Sequence, residues 1–263
     1  MEAETIVTKL EDLPEQCIAE ILMRCTTTPV EVARLSLVSK VFYSATEYDF
    51  LWSRFFPPDL SSIVPISSFT SCTSKKALYF TLSDVPTIID QGTKSFQLDK
   101  RTGKKCFMFS GEGLTVKWIG HPWINLTQSR FQGVARLCPM ARFCICTCID
   151  PLPLSPSTEY AAFLVFKCID PSGIQYYSEM LSGFFGRIGN RPRNLPPSKR
   201  TKTSLRSDGW FETEIGTFHS GSGIEDDPVL LIVESMSQIC EPGSFILHVE
   251  GIEVRPKHVS SLI

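Results

Sequence analysis

The chain has 263 residues, a formal net charge of −2, and 43% hydrophobic against 21% charged residues. That is a globular composition, long enough for one large domain or two small ones, and it excludes extended disorder. Balanced charge argues against bulk binding to nucleic acid or a membrane surface, and no run approaches the ~18 apolar residues of a membrane span.

The first predicted elements are helical. Asp12-Leu13-Pro14-Glu15 carries a D-x-x-E capping pattern with Pro in the first turn. Ile18, Ile21, Leu22 and Cys25 follow at helical spacing. Thr26-Thr27-Thr28 breaks this helix, and Thr28-Pro29-Val30-Glu31 repeats the capping device for a second one. Ala33, Leu37 and Val41, with Val30 and Val38, supply its apolar stripe, and Ser39 caps a third turn carrying Phe42 and Tyr43. Asp49 precedes Phe50, Leu51, Trp52, Phe55 and Phe56, and Pro57-Pro58 stops the run. A module of about 45 residues buries little surface against its chain entropy. Leu13, Ile18, Leu22, Val38 and Trp52 cannot all be internal to it, so a partner surface is expected.

These residues carry a resemblance. Leu13-Pro14, Ile21-Leu22, Leu35-Ser36-Leu37-Val38-Ser39-Lys40 and Leu51-Trp52, in this order over residues 10–56, resemble the F-box. F-box proteins are substrate receptors of SCF ubiquitin ligases. The resemblance implies docking on a Skp-family adaptor, and through it a cullin, by Leu13, Pro14, Ile18, Ile21, Leu22, Val38 and Trp52 or their neighbours.

Residues 57–74 are rich in Pro and Ser and read as a linker. Ser74 caps a further short helix from Lys75, limited by Pro86. From residue 94 strands dominate. Ser95–Asp99 and Lys105–Ser110 flank a turn containing Gly103 and predict a hairpin. Leu114–Trp118, Arg142–Ile149, Gly209–Ile215, Val229–Glu234 and Phe245–Val254 read as strands. Tyr160–Cys168 is nearly all apolar and reads as a buried central strand. Many short strands broken by turns predict a β-sandwich, with residues 186–208 as a long loop. The basic cluster Lys199-Arg200-Thr201-Lys202, with Arg187, Arg191, Arg193 and Arg206, reads as a solvated loop or as an anion-binding or nuclear-import patch.

No secretory signal opens the sequence, so a cytoplasmic or nuclear protein with reduced cysteines is expected. Cys144, Cys146 and Cys148 share one face of a strand, and Phe143, Ile145, Thr147 and Ile149 the other. Zinc sites favour C-x-x-C pairs with a second pair elsewhere, which is missing here, so these cysteines read as small buried hydrophobes and no metal is expected.

A second resemblance spans residues 75–256. Trp118-Ile119-Gly120-His121-Pro122-Trp123, residues 154–167, Arg206-Ser207-Asp208-Gly209-Trp210-Phe211-Glu212 and Gly251-Ile252-Glu253-Val254-Arg255-Pro256 resemble the phloem protein 2 family of plants, whose prototype is the tobacco lectin Nictaba. The segments Ser74–Phe80 and Gly103–Cys106 are similar to the B-type subgroup that fuses an F-box to this domain. The resemblance implies an α+β chain: a small N-terminal helical F-box followed by an all-β, jelly-roll-like sandwich that binds N-acetylglucosamine-type glycans. A sugar site needs an aromatic face for ring C–H groups and acceptors for hydroxyls. Trp118 matches the family's first tryptophan and Glu234 an expected acid, with Asp227 as a second. Trp123 either replaces the second tryptophan or matches a later structural one. The loop from His121 to Trp123 is shorter than the family's, which predicts weaker or altered specificity.

Catalytic motifs are missing: no H-E-x-x-H, no G-x-S-x-G and no G-x-x-x-x-G-K occurs. The resulting expectation is a non-catalytic substrate adaptor without cofactor. Residues 10–56 join the ligase and residues 75–256 recruit a target protein or glycoprotein. The competing expectation is a free lectin of nucleus and cytoplasm with a vestigial F-box.

Overall fold

The computed structural model describes residues 10–65, 69–117, 123–124, 126–137, 143–150, 153–169, 184–189, 199–221, 228–235 and 246–258. The chain forms two compact units: a helical one (Met1–Val85 with Gln97–Lys104) and a β one (Pro86–Phe96 with Lys105–Ile263).

The helical unit contains α1 (Glu15–Cys25), α2 (Pro29–Leu35), α3 (Lys40–Ala45), α4 (Asp49–Ser53), α5 (Leu60–Ile63) and α6 (Lys75–Asp84). The Thr28 capping box forms in full: Glu31 N donates to Thr28 Oγ1 at 3.3 Å, and Thr28 N donates to Glu31 Oε2 at 3.0 Å. The backbone donors of Thr27 and Thr28 hold the Glu31 carboxyl below the usual range. Ser39 and Ser74 cap α3 and α6. The first capping box does not form. Pro14 is itself the N-cap of α1, so Glu15 is the first helical residue instead of the third, and Asp12 lies in a separate 3-10 turn. Leu37 leaves the predicted stripe because α2 ends at Leu35. Ile18, Ala19 and Leu22 of α1, Val32, Phe42 and Ala45, and Leu51 and Trp52 of α4 make the core. Helix α6 packs on α4 within this unit, with Tyr79 and Phe80 ring centroids 5.4 and 5.3 Å from Trp52. Gly103 has φ +73°, and a Cβ there would stand 2.7 Å from the Phe55 carbonyl oxygen, so this turn requires glycine.

The β unit is a sandwich. Its strands are β1 (Thr87–Ile89), β2 (Lys94–Leu98), β3 (Lys105–Ser110), β4 (Thr115–Lys117), β5 (Trp123–Ile124), β6 (Val134–Leu137), β7 (Phe143–Ile149), β8 (Thr158–Ile169), β9 (Phe184–Gly189), β10 (Lys199–Arg200), β11 (Thr203–Leu205), β12 (Phe211–Ser220), β13 (Val229–Ser235) and β14 (Ile246–Pro256). One sheet runs β1-β2-β3-β14-β8-β12-β11, with β5 and β6 joined to it through β14; the other runs β10-β9-β13-β7-β4. Tyr160, Leu164, Phe166 and Ile252 of the first sheet and Ile145, Ile149, Leu231 and Val233 of the second are fully buried. Phe166 meets Phe184 across the gap at 5.0 Å. The predicted hairpin is β2–β3, and the predicted central strand is β8, flanked by β14 and β12. On the other face of the larger sheet, Met108, Phe131, Val134, Val165 and Trp210 form a second, smaller cluster.

Two expectations change. Residues 186–208 are not one loop: β9, β10 and β11 occupy much of the described part. The alternation in Phe184–Gly189 is masked because Gly186 takes an inward position, where a Cβ would overlap the Ile215 carbonyl. The cysteines of β7 sit on its outer side. Ile145 and Ile149 fill the core face, whereas on the outer face Cys146 is half-buried and Cys148 exposed, and only Cys144 is covered. The branched apolar residues claim the core face, where they bury more surface than a thiol.

His248 of β14 stands opposite Arg136 of β6 and Lys167 of β8 and is buried, with Nδ1 lacking a hydrogen-bond partner. Burial, and then these two cations, hold its imidazole below the ordinary value. The unfolded chain therefore takes up the proton first as pH falls. Stability should drop from about pH 6.5 downward until the lower folded value is passed. His248→Gln should remove that drop, measured as urea unfolding free energy at about pH 7.5 and about pH 5.5. Parallel losses in both proteins would assign the drop to other groups.

Candidate functional site

Two surfaces carry the predicted functional residues. On the helical unit the predicted docking set divides. Ile18 and Trp52 are fully buried and Leu22 nearly so, so they build the unit's core instead of its surface. Trp52 Nε1 donates to the Thr46 carbonyl at 2.6 Å, which fixes the indole inside. Leu13 and Ile21 are half-buried, Pro14 is exposed, and Val38 is 61% exposed. Leu10 and, above all, Leu37 at 84% exposure were not predicted as surface residues. Leu37 and Val38 form the α2–α3 turn, held by hydrogen bonds from Leu37 N to Arg34 O and from Val38 N to Leu35 O, each 3.1 Å. Adjacent aliphatic side chains on a fixed turn are an arrangement that burial against a partner would stabilise. The sequence signal for it was the helix stop after Leu35, read instead as continued helix.

On the sandwich, Glu234 lies on β13 between β9 and β7. Val229, Leu231 and Val233 point into the core, so Glu234 takes the outer face with half-buried Leu230 and Ile232. Its carboxylate pairs with Arg187 of β9. Register places Arg200, Phe185, Glu234, Cys144 and Lys117 in one row across all five strands. Trp118 and Asp227 lie outside the described residues. Trp123 starts β5, whose backbone pairs with β6 in the larger sheet, so it does not share Glu234's sheet.

The basic cluster is partly committed. Arg206 Nη1 meets Glu253 Oε2 at 2.5 Å and Glu212 Oε2 at 3.2 Å, and Arg187 holds Glu234. Arg191 and Arg193 lie outside the described residues. Among the described residues, no three His, Cys, Asp or Glu form a group that could hold a metal ion, and no helix is long and apolar enough to cross a membrane.

Comparison with known proteins matches two family models. F-box-like covers residues 10–58, and Phloem protein 2 covers residues 104–256. The putative F-box protein PP2-B8 of Arabidopsis thaliana is 32% identical over 96% of this chain and 89% of its own length. The F-box protein PP2-B10 of the same plant is 33% identical over 95% of this chain and 94% of its own. Among solved structures, a family 35 carbohydrate binding module from Clostridium thermocellum covers 57% of this chain and 96% of its own at 14% identity, with a TM-score of 0.34, too distant to inform the site.

Proposed function

The chain belongs to the phloem protein 2 family and carries an F-box ahead of that domain, and on that premise we propose that it is a non-catalytic substrate receptor of an SCF-type ubiquitin ligase. The helical module, residues 10–56, docks on a Skp-family adaptor. The sandwich recruits a target protein or an N-acetylglucosamine-type glycoprotein. The observation that carries the docking half is the fixed Leu37–Val38 turn, 84% and 61% exposed on a unit whose core is already closed by Ile18, Leu22 and Trp52. Such a turn gains from a partner, and loss of a central interface anchor typically costs about 2 kcal/mol or more.

Support for the recruiting half is the outer face of the smaller sheet. Glu234 supplies a carboxylate acceptor oriented by Arg187, and Phe185 stands beside it in the row. Strand β4 ends at Lys117, two strands from Glu234, roughly 10 Å away at ordinary strand spacing. Trp118 is the next residue in the sequence. Cys17, Cys25, Cys72, Cys146 and Cys148 are free thiols, which suits a reducing compartment.

The test is co-expression with a plant Skp-family adaptor, followed by size exclusion. Wild type should co-elute, and Leu37→Asp with Val38→Asp should not, at unchanged melting temperature. Co-elution of that variant would reject the assigned surface. On a glycan array, Glu234→Ala should lose the wild-type signal. A wild type that co-elutes yet binds no glycan would make the sandwich a protein-recognition surface. Glycan binding without co-elution would favour the free lectin.

A further inference from the structure

A cavity of about 410 Å³ opens at one end of the larger sheet. Three segments enclose it: the turn Asp90–Gly92 between β1 and β2, the turn Gly111–Gly113 after β3, and Arg130–Gly133 before β6. Its volume falls within the roughly 300–1,000 Å³ of small-molecule sites. We propose that this cavity binds a single neutral sugar unit, at a site separate from the Glu234 face and built from Gln91, Ser110, Glu112, Arg130 and Gln132.

The floor comes first. Ser110 is 1% exposed, and its Oγ has no hydrogen-bond partner. A buried hydroxyl left unpaired is unfavourable, and rotation of this side chain toward a ligand hydroxyl would pair it, because each can donate or accept. The wall is Arg130, held from behind. Arg130 N and the Ser129 hydroxyl both donate to Glu250 Oε1, at 2.9 and 3.0 Å, and Glu250 Oε2 lies 3.7 Å from Arg130 Nε. Glu250 is 2% exposed, so its charge offsets the guanidinium from inside the fold. Glu112 adds a second carboxylate at the rim, folded over Gly133, where any Cβ would overlap it. An anion would meet two carboxylates against one guanidinium, which selects against phosphate and carboxylate ligands. The amides of Gln91 and Gln132 each offer a donor and an acceptor, and Ile88 at the wall offers an apolar surface to ring C–H groups. Paired donors and acceptors beside an apolar wall, with no excess positive charge, fit a neutral polyhydroxylated ring.

The entrance turn is strained in a way that serves this lining. Asp90 and Gln91 both have left-handed φ, +50° and +56°, a region unfavourable for non-glycine residues. The strain persists because Thr93 bonds the Asp90 carbonyl through both N, at 3.1 Å, and Oγ1, at 2.7 Å, while Lys94 pairs with the Asp90 carboxylate at 2.9 Å. Left-handed strain held this firmly clusters at binding sites.

The test is saturation-transfer NMR on the full chain with glucose, mannose and galactose as separate probes, and inorganic phosphate as competitor. At least one sugar should receive saturation from the wild type. Glu112→Ala with Gln132→Ala, both exposed rim residues, should lower that signal at least fivefold at unchanged melting temperature, and Gln132→Trp should do the same by filling the mouth. Glu234→Ala should leave it intact, which separates this site from the glycan face proposed above. Three outcomes would overturn the proposal: no transfer to any of the three sugars, a signal that survives both rim variants, or displacement by phosphate. Loss of signal in Glu234→Ala alone would move the binding to the other sheet.

Discussion

Trp52→Ala is expected to unfold the helical unit, whereas Val38→Asp should leave it folded and unable to hold its adaptor. Trp52 is fully buried among Phe55, Tyr79 and Phe80, with centroids 6.1, 5.4 and 5.3 Å away. Its Nε1 donates to the Thr46 carbonyl, which closes the end of α3. Truncating a buried tryptophan to alanine costs about 3–5 kcal/mol, before the stranded carbonyl is counted. A small domain has roughly 5–15 kcal/mol in all, so this loss is a large fraction of the whole. Val38 contributes nothing comparable to the core, because it is 61% exposed on a turn held by backbone bonds. The two variants separate folding from docking. Far-ultraviolet circular dichroism and chemical denaturation should report the first, and co-elution with the adaptor the second. If Trp52→Ala kept its stability and lost only the adaptor, the indole would be a contact residue and the burial argument would be wrong.

That division could not be read from the motif. Helical spacing places Ile18 and Leu22 on one face, but spacing does not say whether the face meets the chain's own α4 or another protein. The structure decides for the chain's own core. The opposite error concerns Leu37. A stripe continued past Leu35 would bury it, but the helix ends two residues earlier, at Leu35, with the C-cap Ser36 hydroxyl bonding the Ala33 carbonyl at 2.7 Å. Polar capping chemistry overrode periodicity here. Where both agreed, as at Thr28-Pro29-Val30-Glu31 and Ser74, the predicted helix starts are found.

The sandwich was legible where strands alternate or run wholly apolar, as in β8 and β13. It was hidden where a glycine or a charge holds a place in the pattern. Phe184–Gly189 is such a strand: Gly186 allows close approach to Ile215, and Arg187 points outward to Glu234. Glu234 itself was placed by family resemblance, and its ion pair with Arg187 was beyond any local rule, because the partners lie 47 positions apart. The cavity at Gln91 had no sequence signal at all. Left-handed φ at Asp90 and Gln91 has no counterpart in composition, since neither is glycine.

Arg206→Met is expected to destabilise the β unit by about 3 kcal/mol at neutral pH, the low end of what breaking a buried ion pair costs. Glu253 is 8% exposed on β14. Arg206 reaches it at 2.5 Å, and Arg255 stands farther off at 3.5 Å while bonding Glu212 at 2.8 and 2.9 Å. Removing Arg206 therefore leaves Glu253 buried without its nearest cation, with only Arg255 at 3.5 Å and the weaker influence of Arg130, and removing Glu253 would leave Arg206 with Asp208 and Glu212 at 3.2 Å each. Arg206 is the more damaging loss for that reason. The pH dependence follows from the same groups. Burial pushes the Glu253 carboxyl up, but Arg206, Arg255 and Arg130 outweigh it and hold the group below the ordinary range. Its folded pKa is thus lower than its unfolded one. The stabilisation is present above the unfolded value of about 4.3 and is lost as pH falls through the folded value. Arg206→Met diminishes that depression, so the gap in stability between wild type and variant should be widest near neutrality and shrink on acidification. Denaturant unfolding at about pH 7 and about pH 3.5 measures both gaps. A gap that stays constant would mean that the guanidinium acts through the packing of its stem instead of its charge.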